Sequence, residues 1–525
     1  MKISSIIIAS FLCLSTQLTA QSVYNITSFG AVPNKHELST TAIQKAIDKC
    51  AENGGGQVLI PAGTFISGSI FLKNGVSLFL DAAAVLKGSP DYNDYYWPNK
   101  NSTLNKALVC AVNQQNISIC GRGVIDGNGG HSNYYSPDPR NGKENRPNVI
   151  CMLNSSHVKL KEFTVKDGGR WDVTVDDCDF VSVDDIKVLS RIVANNDGLD
   201  LTDCHNVTVS NSYFDCGDDG ICLKSGKKRG VKNITITNCT IKSESNGIKF
   251  GTSSVGGFED IAITNCIIYD TRLSGLALEL VDGGTINRVV INNITMHRVN
   301  GSIFLKLGKR RGDTPGSFKN VFISNIIADG IGQWKADTTA PYFKASLDTT
   351  IGVVIAGQPG YDLENIQLSN IYLQFAGGGK KEDASRTMRD NPATYPEYTN
   401  FGVTPAYGIN CRNINNLSLN NITLDQATTD ARPAIYLEAV SNASLSAIKA
   451  RVHPSTISYI NAKNVQSLFI HTCKPNSANI PFLNLTGEIS DISLINNDLK
   501  NLTTIYTAPE NKTKEIYISS NNKNP

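Results

Sequence analysis

NITITNCTI from Asn233, DIAITNCII from Asp260 and RVVINNITM from Arg288 restate one phrase at a spacing of about 27 residues. The phrase returns as NVFISNIIA from Asn320, NIQLSNIYL from Asn365 and NLSLNNITL from Asn416, with the later intervals stretched by insertions. A recurring period of this length marks stacked supersecondary units, none of which can bury its apolar face alone. Within one unit Ile234 and Ile236 alternate with Thr235 and Thr237, which predicts a short strand with one buried face. Asn238 falls at the bend that follows, where its amide can bond along the stack and its backbone tolerates a left-handed conformation. The expected architecture is all-β, a parallel β-helix with one repeat per turn.

An open stack exposes apolar faces and unpaired strand edges, so its end needs a cover. Residues 41–53 are predicted to form an amphipathic N-terminal capping helix, with Ile43, Ala46, Ile47 and Cys50 on one face. Thr41 and Gln44 are spaced as a capping box and Gly54 as a stop. The polar, Gly- and Pro-bearing residues 376–405 do not read as a rung. They are expected to cross one face as a cleft wall, and residues 91–100 form a second insertion.

Thirteen cysteines would suggest disulfides in an exported chain. Cys239 and Cys266 instead follow Thr-Asn at the same phase of successive repeats, and Cys178 and Cys204 recur at similar spacing, so a ladder of small buried thiols is expected. Cys216 and Cys222 are close enough to flank a bridged loop. Lys2, the apolar residues 6–14 and Leu18-Thr19-Ala20 read as an export signal over residues 1–20, leaving residues 21–525 as one soluble β-helix domain. That apolar run is too short to span a bilayer. The expected location is periplasmic or secreted, and the expected state a monomer. A formal net charge of +2 gives no general reason to expect nucleic acid or a membrane surface as a partner.

The chemistry concentrates in NNDGLD at residues 195–200 and CGDDG at residues 216–220. Each ends a short strand-like run, which brings Asp197, Asp200, Asp218 and Asp219 onto neighbouring turns of the coil. Stacked carboxylates repel one another, and folding alone does not need them. Hydrolysis of a glycosidic bond by inversion does need a carboxylic acid and an opposed carboxylate base. Solvated turn aspartates or a calcium site are the other readings of the cluster. No pair among the seven histidines has metal-ligand spacing, and no cofactor is expected. His205, near Asp200 in sequence, begins a strand run and reads as a rung residue.

The chain resembles the polygalacturonase family, glycoside hydrolase family 28. The likeness begins with ITSFGAVPN at Ile26, runs through TTAIQKAIDKCAENGGGQVLIPAGTF from Thr40 and GVIDGNG from Gly123, and covers nearly all of the chain after the signal. The family's Asn-Thr-Asp stands here as Asn195-Asn196-Asp197, its Gly-Asp-Asp as Gly217-Asp218-Asp219, and its Lys-Ser-Gly as residues 224–226. The resemblance implies a single-stranded right-handed parallel β-helix of the pectin-lyase-like kind. It also implies Asp218 as the general acid, with Asp197 and Asp219 holding and deprotonating the attacking water.

Two family motifs are absent. An ungapped match puts Glu244-Ser245-Asn246 where Gly-His-Gly is usual and Ala277-Leu278-Glu279 where Arg-Ile-Lys is usual. The lost basic residues are associated in the family with the galacturonate carboxylate, and Glu279 carries the opposite sign. Either the sugar there is neutral, as in rhamnogalacturonan, or its carboxylate is gripped by Lys249, Lys306 or residues 309–311. Trp171 could stack on a sugar ring or cap the core. The expected substrate-binding set is Asp200, Lys224, Lys249, Glu279, Lys306 and Trp171, with no metal ligand. The expected function is inverting hydrolysis of galacturonic-acid-containing bonds in pectic polysaccharide, of the polygalacturonase or rhamnogalacturonan hydrolase type, either endo- or exo-acting. The alternatives are a calcium-dependent pectate lyase and a non-catalytic carbohydrate-binding coil.

Overall fold

A computed structural model describes residues 22–97, 106–135, 145–340, 342–347, 350–389, 391–475, 479–500, 502 and 504–519. The export signal expected over residues 1–20 and its junction at Gln21 lie outside the described residues.

Strand pairing is parallel from rung to rung, and the register places equivalent residues above one another. Val207 pairs with Ile234, Ile234 with Ile261, Ile261 with Val289, and Val289 with Val321. All five are buried, so one column of β-branched side chains runs along the axis of the coil. The strand Val231–Thr237 shows the alternation read from its sequence: Ile234 and Ile236 face the interior and Thr235 faces solvent. This is the parallel β-helix expected from the repeat.

The bend asparagines do what their position predicts. Asn238, Asn265, Asn293 and Asn325 hold φ between 54° and 56°, inside the left-handed region. Bend asparagines also bond from rung to rung, with side-chain amides donating from Asn238 to Asn211 (3.2 Å), Asn293 to Asn265 (2.7 Å) and Asn370 to Asn325 (3.2 Å). Cys178, Cys204, Cys239 and Cys266 are buried free thiols, each donating to a carbonyl two residues back at 3.2–3.3 Å. Cys216 and Cys222 are also free, so the bridged loop weighed for them is not formed.

The N-terminal cover is the helix Thr40–Glu52, which buries Ala42, Ile43, Ala46, Ile47 and Cys50 against the first rung. The capping box expected from Thr41 and Gln44 is not present. The helix starts one residue earlier, its N-cap is Ser39, and no side chain caps it. Gln44 instead turns to the strand Ile70–Phe71, accepting from the Phe71 amide at 2.8 Å and donating to its carbonyl at 3.1 Å. A side-chain amide thus substitutes for a missing strand on an open edge. Among the described residues no helix is long and apolar enough to cross a membrane.

Gln44→Leu keeps the helix but leaves both Phe71 backbone groups without that partner. A loss of roughly 1–3 kcal/mol is expected in denaturant unfolding, and an unchanged midpoint would show that the helix covers this edge by apolar packing alone.

Candidate active site

The two aspartate motifs lie in register on adjacent rungs. Leu199 pairs with Ile221 and Ile221 with Ile248, so Asp197, Asp219 and Asn246 occupy one phase of three successive turns. Glycine allows the close stacking: a Cβ on Gly198 would lie 2.6 Å from the Gly220 carbonyl, and one on Gly220 would lie 2.8 Å from that of Gly247. Backbone bonds clamp the turns, from Gly198 N to Asp219 O (2.9 Å), Asp218 N to Asn196 O (3.0 Å) and Gly220 N to Asn246 O (2.9 Å). Arg146, buried, fastens the first motif by donating to the Gly169 and Ala194 carbonyls and to the Asn195 side chain. Asn196 completes that anchor with bonds to the carbonyls of Gly168 and Arg170.

Buried carboxylates at this density need cations. Lys224 reaches Asp197 at 3.1 Å and also donates to Asp200, so one ammonium serves two buried carboxyl groups. Burial pushes both carboxyls above their ordinary range, against the pull of Lys224. Lys249 is 1% exposed and stands 3.3 Å from Asp219, 3.8 Å from Glu279 and 3.7 Å from Glu397. Burial would lower its ammonium, but those three carboxyl groups outweigh burial and raise it. Asp219 receives most of the benefit. Burial works to raise its carboxyl, yet Lys249 and two bonds from Asn246, at 2.9 and 3.0 Å, hold it down to about 2.

Glu279 departs from the sequence reading. Its carboxylate is 0% exposed, beneath Lys249 and paired in register with Lys306, and neither oxygen has a hydrogen-bond partner. Burial raises it well above the usual carboxylate range. Its carboxyl is therefore closed off from a sugar and faces Lys249 in place of the cleft. Lys306 is also buried and lies under the Phe401 ring at 5.0 Å. Trp171 is half-buried, with the Lys224 ammonium 4.3 Å and the Arg170 guanidinium 5.1 Å from its ring centre, so these cations occupy much of the surface a sugar would use. Of residues 309–311, Arg310 is bound to Asp282.

Several residues at the site carry no local sequence signal. Tyr395 lies 3.2 Å from the Lys249 ammonium, and Glu397 joins the same cluster, both carried by residues 376–405. Lys344, from residues 332–352, reaches Asp218 at 3.2 Å. Asn246 stands in the stretch where the family histidine motif is missing and braces Asp219 instead.

The family model for glycosyl hydrolases family 28 matches residues 50–390, more than half of the chain. The chain belongs to this family. It is 27% identical over 264 residues to the exo-poly-alpha-D-galacturonosidase of Dickeya chrysanthemi, covering 40% of this chain and 43% of that protein. It is also 27% identical over 212 residues to the endo-polygalacturonase of Pectobacterium parmentieri, covering 36% of this chain and 52% of that protein. The chain thus spans about half the length of these curated relatives. The fold is similar to that of the hyperthermoactive exopolygalacturonase of Thermotoga maritima, with a TM-score of 0.58, 20% identity, and 67% and 87% of the two chains covered. It is likewise similar to that of the Erwinia carotovora polygalacturonase, with a TM-score of 0.53, 19% identity, and 68% and 93% covered.

Lys249→Met removes the cation that keeps Asp219 charged. Asp219 keeps its Asn246 bonds and Lys224, whereas Glu279 and Glu397, already raised by burial, lose the largest charge that opposes burial and move higher. A carboxyl raised by folding binds its proton more tightly in the folded state, so the variant should regain stability as pH falls. A deficit of about 3–5 kcal/mol is expected near pH 8 and a smaller one near pH 5. A deficit that does not change with pH, in denaturant titrations of both proteins, would contradict this electrostatic account.

Proposed function

We propose that the chain is an inverting glycoside hydrolase acting on galacturonic-acid-containing bonds of pectic polysaccharide. The observation that carries this reading is the juxtaposition of Asp197, Asp218 and Asp219 on adjacent rungs of a family 28 coil, each within reach of a lysine. Asp218 is the proton donor. Its side chain is 18% exposed, the most accessible of the three. Asp219, held as a carboxylate by Lys249 and Asn246, accepts the proton of the attacking water together with Asp197. The anomeric carbon–oxygen bond breaks as the leaving oxygen takes the Asp218 proton, and the water oxygen bonds to the opposite face of the sugar. Asp200, through Lys224, positions Asp197.

The cations favour an acidic sugar. Glu279, whose place in the family pattern suggests a neutral sugar, is buried and opposed by Lys249. The column of the site supports one reading of the mode of attack. Asp200, Cys222, Lys249 and Ala277 pair in register, and beyond Lys249 the column turns apolar. Leu273, Ala277, Phe304 and Val354 are sealed there by Tyr398 and Phe401 from residues 376–405. A cleft stopped by an apolar plug accepts a chain end rather than a continuous chain, so exo-action is the reading we adopt. The enzyme would work outside the cytoplasm as a monomer, with residues 21–525 as one unit.

Digestion of homogalacturonan is expected to release a single short product from the first minutes, and Asp218→Asn to lower that rate by about a hundred- to ten-thousandfold with unchanged unfolding. Near-normal turnover by the variant would overturn the assignment of Asp218. An unsaturated, ultraviolet-absorbing product that disappears with a chelator would point to the calcium-dependent lyase instead.

A further inference from the structure

Lys344 is the cation that neither the repeat nor the aspartate motifs foreshadow. It arrives on residues 332–352, between the strands Ser317–Ile331 and Val353–Ala356. That excursion is fixed to the coil at several points. Trp334 donates to the Asp270 carbonyl at 3.1 Å, and Arg272 donates to the Ala345 carbonyl at 3.0 Å. The Lys344 amide donates to Glu244 at 3.1 Å, and Glu244 is itself bound by Arg191. Tyr342 is buried, with its ring edge against Gly217 of the second aspartate motif. These contacts deliver the Lys344 ammonium to within 3.2 Å of Asp218.

The other lysines of the cluster are spoken for. Lys224 lies between Asp197 and Asp200, and Lys249 between Asp219, Glu279 and Glu397. Lys249 is 1% exposed, whereas the Lys344 side chain is 22% exposed and pairs with a donor carboxyl that is itself 18% exposed. The pairing has a consequence for the reaction. A proton donor must be neutral when the substrate binds, and a neutral Asp218 no longer balances the adjacent ammonium. An anion on the substrate can take its place.

We propose that Lys344 binds the carboxylate of a galacturonate residue at the scissile bond, and so sets the enzyme's preference for uronic acids over neutral sugars. The inference rests on the hydrolase reading above and deepens it. Lys344 would take over the task of the absent Arg-x-Lys residues from an inserted segment, while Ala277 and Glu279 at the usual place are buried. A substrate carboxylate entering beside Asp218 takes over the Lys344 ammonium, Asp218 takes up a proton from solvent as it loses that partner, and the proton stays on Asp218 until the leaving oxygen takes it.

The test compares wild type, Lys344→Met and Lys344→Arg on a galacturonide oligosaccharide and on its carboxyl-reduced, galactosyl counterpart. For Lys344→Met, kcat/KM is expected to fall about a hundredfold on the galacturonide, mainly through KM, and by at least tenfold less on the reduced sugar, where only the contact with Asp218 is lost. Lys344→Arg should keep most of the selectivity. Calorimetric binding of galacturonate and galactose monomers to the same proteins gives the comparison without turnover, with galacturonate affinity lost in Lys344→Met alone. Equal losses on the two sugars would overturn the proposal and leave Lys344 as a positioning residue for Asp218. Undiminished galacturonate binding in Lys344→Met would overturn it as well. Wild-type protein that binds and cleaves no galacturonide would instead bring down the hydrolase reading itself, and a fully active Asp218→Asn would remove the donor on which the exchange of anions depends.

Discussion

In-register parallel stacking is the constraint from which the rest of this molecule follows. When each turn hydrogen-bonds to the next at the same phase, any residue type that recurs in the repeat becomes a column. Columns of Ile and Val make the core, columns of Asn close the bends, and columns of glycine let turns approach closely. The same rule makes the acidic motifs costly. Asp197 and Asp219 share one phase of adjacent rungs, and Asp218 stands beside them, at a separation set by the backbone and not by the side chains. The protein meets that cost with Lys224 and Lys249, which come from the next rungs of the same face.

This arrangement decides which carboxyl groups carry charge. Three of them crowd Lys249, and its field is not shared equally. Asp219 also receives two Asn246 bonds and remains ionised, while Glu279 and Glu397 are pushed up by burial. Lys224, Lys249 and Lys344 pair with the carboxyl groups of the cluster and offset part of the charge its composition suggests. Lys344, paired with Asp218, is the cation that we propose meets an acidic substrate. On the proposed function, specificity belongs to the inserted segments and the proton chemistry to the repeat.

The division explains what could be read from the sequence. The repeat, the bend asparagines, the thiol ladder and the aspartate motifs were legible because each is periodic or local, and periodicity survives folding as a column. Gln44 misled because the Thr-x-x-Gln pattern fits a capping box in isolation, whereas the open edge at Phe71 offered a better partner in space. Glu279 misled for a related reason: its place in the family pattern was clear, but its burial depends on Lys249 one rung away and on Lys306 one rung further. Lys344 and Tyr395 had no signal at all. They reach the site across 126 and 146 residues of sequence, from insertions with no period to betray them.

The central claim is that carboxyl groups on adjacent rungs act from opposite sides of the anomeric carbon, one giving a proton and another taking one from water. Proton NMR of the first-formed sugar, recorded before mutarotation, reads this directly. The account predicts a reducing end whose anomeric configuration is opposite to that of the bond cleaved. A first product that retains the original configuration would contradict it, because retention requires one of these aspartates to form a covalent bond to the sugar.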